Sequence, residues 1–249
     1  MGARAFLITA ALMHGMVERT PFRRVPRALC SPCFMKATCR IQRLRYALPI
    51  IKSPTPTLLM ILICVAVAIM TRLGTVDDAT LKLMISEYRY VPGYRFTEIL
   101  DGQVWRLITP IFLHFSLMHI VFNMIWFYDL GGQIEKRIGY VMYLVLVLVI
   151  AIASNLLQYV LEGPSFGGMS GVVYGLFGYM FMRIRAEGPG VYFLLRNNVF
   201  IMFGWFVLCW TGLLGPVANW AHTGGLALGM LLGWIGYGAP RVRQVRRWP

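Results

Sequence analysis

Four polar side chains interrupt apolar runs of this sequence at spacings that could do chemistry: His119, Asn123, Ser170 and His222. A serine hydroxyl attacks a carbonyl only when a neighbouring base takes its proton, and histidine is the usual base. Attack creates an oxyanion, which needs donors already aimed at it. His119 and Asn123 are four residues apart and so share one helical face, where both could point at the same atom. Ser170 lies within Gly167-Gly-Met-Ser-Gly-Val-Val-Tyr-Gly175, at the start of an apolar run, and its backbone N–H at a helix N-terminus would add a further donor. Asp129 falls at the far end of the run that carries Asn123, so the spacing predicts a Ser170–His222 dyad without a third, acidic member.

Each of these residues also has a plainer reading. A Gly-x-Ser-Gly in an apolar helix is more often packing material that lets helices approach closely, and Gly225-x-x-x-Gly229 has the same small-residue spacing. The stretch is not the Gly-x-Ser-x-Gly of soluble hydrolases, because Val172 replaces the last glycine. His222 alone would suit a buried core residue or a proton path. The joint presence of all four favours catalysis.

The elements that must position them are membrane helices. Of 249 residues 58% are hydrophobic and 14% charged, and the mean hydropathy is +0.64, far from the balance of a soluble domain. Apolar runs at 58–69 extending toward Gly74, 118–130, 140–161, 170–181, 199–214 and 222–237 predict six spans. The stretch 75–115 then forms a long first external loop. The cations Lys136 and Arg137, then Arg183, Arg185 and Arg196, fall in alternate connections, which places those connections and both basic termini on the cytoplasmic side. On this topology the four chemical residues share the opposite half of the bilayer.

The net charge of +14 is a matter of orientation: ten of the 24 Lys and Arg lie in 1–52 and four in the tail 239–249. Those segments suit contact with anionic lipid better than nucleic acid, which is not expected as a partner. Residues 1–52 read as a basic, largely disordered cytoplasmic arm, and 53–238 as the membrane domain. Cys30, Cys33 and Cys39 make a C-x2-C-x5-C cluster with no nearby histidine to complete a zinc site; no metal or other cofactor is expected.

In order along the chain stand Trp105-Arg106, His119-x-x-x-Asn123, Gly131-Gly132-x-x-Glu135, Gly168-Met-Ser170-Gly171-Val-Val-Tyr174-Gly175 and Ala221-His222-x-x-Gly225-x-x-x-Gly229. Over about residues 55–238 this set resembles the rhomboid intramembrane serine proteases, of the bacterial GlpG type. The resemblance implies an all-α polytopic membrane protein, a six-helix bundle of the bacterial inner membrane that cleaves transmembrane protein substrates. Ser170 is then the nucleophile, His222 the base, and His119 and Asn123 the stabilisers of the oxyanion. Tyr174 stacks on the histidine, Gly168 and Gly171 allow close approach around Ser170, and Gly225 and Gly229 hold the last span against the fourth. Trp105, Arg106 and Glu135 are structural, and Phe122 with Trp210 forms a gate for substrate. A catalytically silent helix-binding relative and a small transporter using His119 and His222 as relays are the competing classes. Silent relatives characteristically lack the serine or the histidine, and both are present here.

Overall fold

A computed structural model describes residues 55–75, 77–87, 96–188 and 190–236. The expectations for 1–52, for Cys30, Cys33 and Cys39, and for the tail 239–249 lie outside the described residues. The architecture is all-α, with no strand among the described residues.

Among the described residues six long helices carry the fold: α1 (Pro56–Met70), α4 (Leu117–Ile138), α5 (Tyr140–Glu162), α6 (Ser170–Glu187), α7 (Arg196–Trp210) and α8 (Asn219–Ile235). Two short helices, α2 (Asp78–Leu83) and α3 (Thr97–Leu100), lie between α1 and α4 with the 3-10 turns Val104–Leu107 and Thr109–Phe112. Among the described residues α5 alone is long and apolar enough to cross a membrane by length and composition.

Local chemistry explains the helix ends. Thr55 caps α1 by accepting the Leu58 N–H at 3.3 Å, with Pro56 next in the first helical turn. Ser116 caps α4 through the His119 N–H at 3.2 Å, which places His119 and Asn123 in the first two turns. Gly139, at φ +82°, ends α4 and lets α5 start at once.

The second expected span, about 118–130, ends in a turn over 131–137, but in the structure α4 continues through those residues to Ile138. The reason is packing. A side chain at Gly131 would collide with the hydroxyls of Tyr143 and Thr57, so the glycine admits neighbours and does not break the helix. Buried Glu135, one turn on, accepts from the Thr57 N–H at 3.0 Å and its hydroxyl at 2.7 Å, while the Thr57 and Tyr143 hydroxyls stand 3.0 Å apart. The Glu135 carboxylate and the Thr57 hydroxyl thus tie α1, α4 and α5 together.

The long loop is held by Arg106. Its guanidinium, 1% exposed, donates to the carbonyls of Leu81 (2.7 Å) and Met84 (2.9 Å) and to Gln103 (2.7 Å), and pairs with Glu87. Buried Glu98 accepts from the Glu87 N–H at 2.6 Å, and the Asn155 amide on α5 holds the Leu107 carbonyl at 2.9 Å. Trp105 points the other way, half exposed.

At the centre is α6, where the ten residues Gly171 to Met180 are all buried. A helix hydrophobic on every face belongs inside a bundle. The outer helices present large apolar side chains outward, among them Leu62 and Ile69 on α1, Val141 and Met142 on α5, Ile201 and Trp205 on α7, and Trp234 on α8. Lipid is the solvent such a surface requires.

Candidate active site

Ser170 is the first residue of α6, and Gly168 makes that start possible. At φ +119° Gly168 occupies backbone space closed to other residues, and its N–H donates to the Pro110 carbonyl at 2.9 Å, fastening the turn to the long loop. A side chain at Gly168 would collide with His119 Nε2 and lie 3.6 Å from Asn123 Nδ2. The bare glycine therefore brings His119 and Asn123 against the turn that carries Ser170.

On the facing helix, His222 Nε2 lies 2.8 Å from Ser170 Oγ. His222 is 4% exposed, and its Nδ1 has no hydrogen-bond partner among the described residues. Asp129 is engaged elsewhere, by Gln133 at 3.2 Å. The Tyr174 ring sits 4.8 Å from the imidazole, tilted by 40°, and its hydroxyl donates to the Met202 carbonyl at 3.2 Å. Tyr174 thus walls one side of His222 and is itself anchored to α7.

Helix approach sets the serine–histidine distance. A methyl group at Gly225 would land on the Gly171 carbonyl oxygen, and one at Gly229 on that of Gly175. The Gly171 side of the seam is equally filled, since a Cβ there would meet Ser154 Oγ at 2.9 Å and the Ala221 carbonyl at 3.2 Å. Backbone packs on backbone, as small-residue spacing allows.

The donors expected near an oxyanion are present beside this pair. Asn123 is 5% exposed, and its Nδ2 finds no acceptor among the described residues. The first helical bond at the start of α6 runs from the Val173 N–H to the Met169 carbonyl at 2.9 Å, so the N–H groups of 170–172 have no acceptor within the helix. A buried donor without a partner is costly unless something is to bind there.

A match to the family model of the Rhomboid domain covers residues 101–239. This chain belongs to the rhomboid family. It is 36% identical over 180 residues to "Rhomboid protease GlpG" of Salmonella paratyphi A, covering 72% of this chain and 62% of that protein. To the protein of the same name from Klebsiella pneumoniae subsp. pneumoniae it is 36% identical over 177 residues, covering 71% and 61%. The matched region thus spans about three fifths of these curated relatives. Family membership makes the chain a multi-pass helical membrane protein.

One expected pairing is corrected by the fold. Phe122 meets Trp205, with ring centroids 5.8 Å apart, whereas Trp210 packs edge-on against Trp220 at 5.2 Å. Positions 205 and 210 are about 140° apart around a helix, so they face different neighbours. Sequence reading also passed over Gln158, which accepts from the N–H groups of Trp220 and Ala221, both at 3.0 Å. The signal was available: Ser154, Asn155 and Gln158 are polar residues in an otherwise apolar span, and polar residues there call for an account.

Proposed function

We propose that this rhomboid-family chain is an intramembrane serine endopeptidase that cleaves peptide bonds in or near the transmembrane segments of other membrane proteins. The observation that carries the reading is the 2.8 Å approach of Ser170 Oγ to His222 Nε2 beside unpartnered Asn123. Both curated relatives described above are named as proteases, which supports it.

In the resting enzyme the His222 tautomer carries its proton on Nδ1, leaving the Nε2 lone pair to accept the Ser170 hydroxyl proton. The serine oxygen attacks the scissile carbonyl, and the carbonyl electrons move onto its oxygen. Asn123, His119 and the N–H groups opening α6 surround that oxyanion. The imidazolium returns its proton to the leaving amine, and an acyl-enzyme remains on Ser170. Water, deprotonated by His222, then releases the new carboxylate. Tyr174 faces the imidazole as its charge develops, where an aromatic face is favourable to a cation.

A substrate helix hides its carbonyls in its own hydrogen bonds, so helix-weakening small residues near the cut are preferred. Entry is between α4 and α7, where Phe122 and Trp205 meet. The bundle crosses the bilayer six times, with both termini cytoplasmic, in the inner membrane of a bacterium.

Fluorophosphonate labelling in detergent tests the reading. Wild type is labelled at Ser170, while S170A and H222A are not labelled and do not cleave a transmembrane substrate. Normal turnover by S170A would overturn the serine mechanism, and no labelling of folded wild type would leave a helix-binding relative without catalysis.

A further inference from the structure

The start of α8 is half-buried, directly ahead of His222, and the N–H groups of its first turn are capped from another helix. The residue at the capping position is Ala218, which has no side-chain acceptor to offer. Asn219 turns its N–H to the Val217 carbonyl at 2.8 Å, and the first helical bond is that of His222 itself, to the Ala218 carbonyl at 3.2 Å. Between them the N–H groups of Trp220 and Ala221 have no acceptor in the helix. Both are taken by one atom, Gln158 Oε1 on α5, at 3.0 Å each.

Gln158 is 3% exposed, and its amide can sit only one way. Two N–H donors require the oxygen on the α8 side, and Nε2 then donates to Glu162 Oε2 at 2.8 Å. A flipped amide would oppose donor to donor at α8 and acceptor to carboxylate at Glu162. The relay therefore runs from Glu162 through Gln158 to the peptide groups that immediately precede His222.

We infer that Gln158, oriented by Glu162, is the positioning residue for His222. It fixes where the first turn of α8 begins, and hence the distance of the imidazole from Ser170, from a helix outside the reacting pair. Because that cap comes from α5, a change of conformation in the connection 211–216 leaves the acceptor of the Trp220 and Ala221 N–H groups in place. The inference rests on reading Ser170 and His222 as the reacting pair.

The test is steady-state kinetics on one transmembrane substrate in detergent, with melting temperature measured on every variant. An ångström of misplacement at a reacting group costs on the order of a hundredfold. Q158L, which keeps the bulk but removes the acceptor, should lower kcat at least about tenfold and leave KM within about twofold. The exchanged pair Q158E/E162Q restores an acceptor toward α8 and a donor behind it, and should recover most of kcat; Q158E alone, with two carboxylates face to face, should not. E162A should lower kcat by a smaller factor.

An unchanged kcat in Q158L, a loss confined to KM, or an exchanged pair no better than Q158E would overturn the inference. If Q158L does not fold, the comparison of Q158E with Q158E/E162Q decides. Turnover by S170A would remove the reacting pair itself, and this inference with it, whereas full loss in S170A with normal kcat in Q158L defeats the inference alone.

Discussion

The two faces of the Ser170–His222 pair are built differently. On the α6–α8 side, Gly225 and Gly229 lie against the carbonyls of Gly171 and Gly175, so that main chain meets main chain at these positions. On the α7 side the contacts are large rings: Tyr174 with Phe206 at 5.5 Å, Phe177 with Phe203 at 5.2 Å, Phe122 with Trp205 at 5.8 Å. Main chain cannot rotate out of the way, whereas a ring can change rotamer. The seam is suited to holding a distance of 2.8 Å between two side chains, and the aromatic face to yielding when a substrate helix arrives.

The sharpest way to break this contrast is at the seam. G229V would drive a side chain into the Gly175 carbonyl, and we expect a loss of stability above the roughly 1–3 kcal/mol usual for overpacking, because neither backbone can move aside. Unfolding in mild detergent, with activity lost together with the fold, is the expected result. S170A is its counterpart: turnover vanishes while the melting temperature stays within a few degrees of wild type. A G229V protein of normal stability and activity would show that the seam is not what sets the geometry.

Next in size is Asn123. N123A should lower kcat by about 10²–10³, the usual loss for one oxyanion donor, without destabilising the protein. Its buried Nδ2 has no acceptor to lose. A stability loss without a kinetic one would reassign Asn123 to packing.

On the aromatic face the effects should be smaller and of the other sign. F122A and W205A each remove a pair worth about 0.5–1.5 kcal/mol beyond area burial. Both should raise turnover of a bulky transmembrane substrate, with the double variant no faster than the larger single effect. W210A, whose partner is Trp220, should not belong to that cycle. A gain from W210A that does not add to that of F122A would restore the pairing expected from the sequence.

A control outside both regions lies in the long loop. Asp77 caps α2 by accepting the Thr80 N–H at 2.9 Å, and that bond holds its carboxyl below the ordinary value. The contribution to loop stability is present above the unfolded pKa and is lost as pH falls through the lower folded one. Hydrogen-exchange protection around 78–83, after correction for the intrinsic pH dependence of amide exchange, should fall on acidification across that window in wild type and not in D77N.

The long, strongly apolar helices were legible because burial in lipid demands continuous apolar sequence, and α5 spans Tyr140–Glu162 against an expected 140–161. The four chemical residues were legible for the complementary reason: a polar group in such a run is expensive and stands out. Helix ends were less so, since Gly131 and Gly132 look like a stop until Thr57 and Tyr143 occupy the space beside Gly131.

Sequence by itself determined the membrane class and the helical architecture and marked Ser170, His222, His119 and Asn123 as candidates, because polarity and glycine spacing are properties of the chain alone. Tertiary structure decided which tryptophan meets Phe122, that Glu135 joins three helices, and that the cap of α8 comes from Gln158, 62 residues earlier in the chain than the first N–H it holds. Those depend on the rotation and height of one helix against another. Packing of the whole bundle sets these, and no local pattern encodes them.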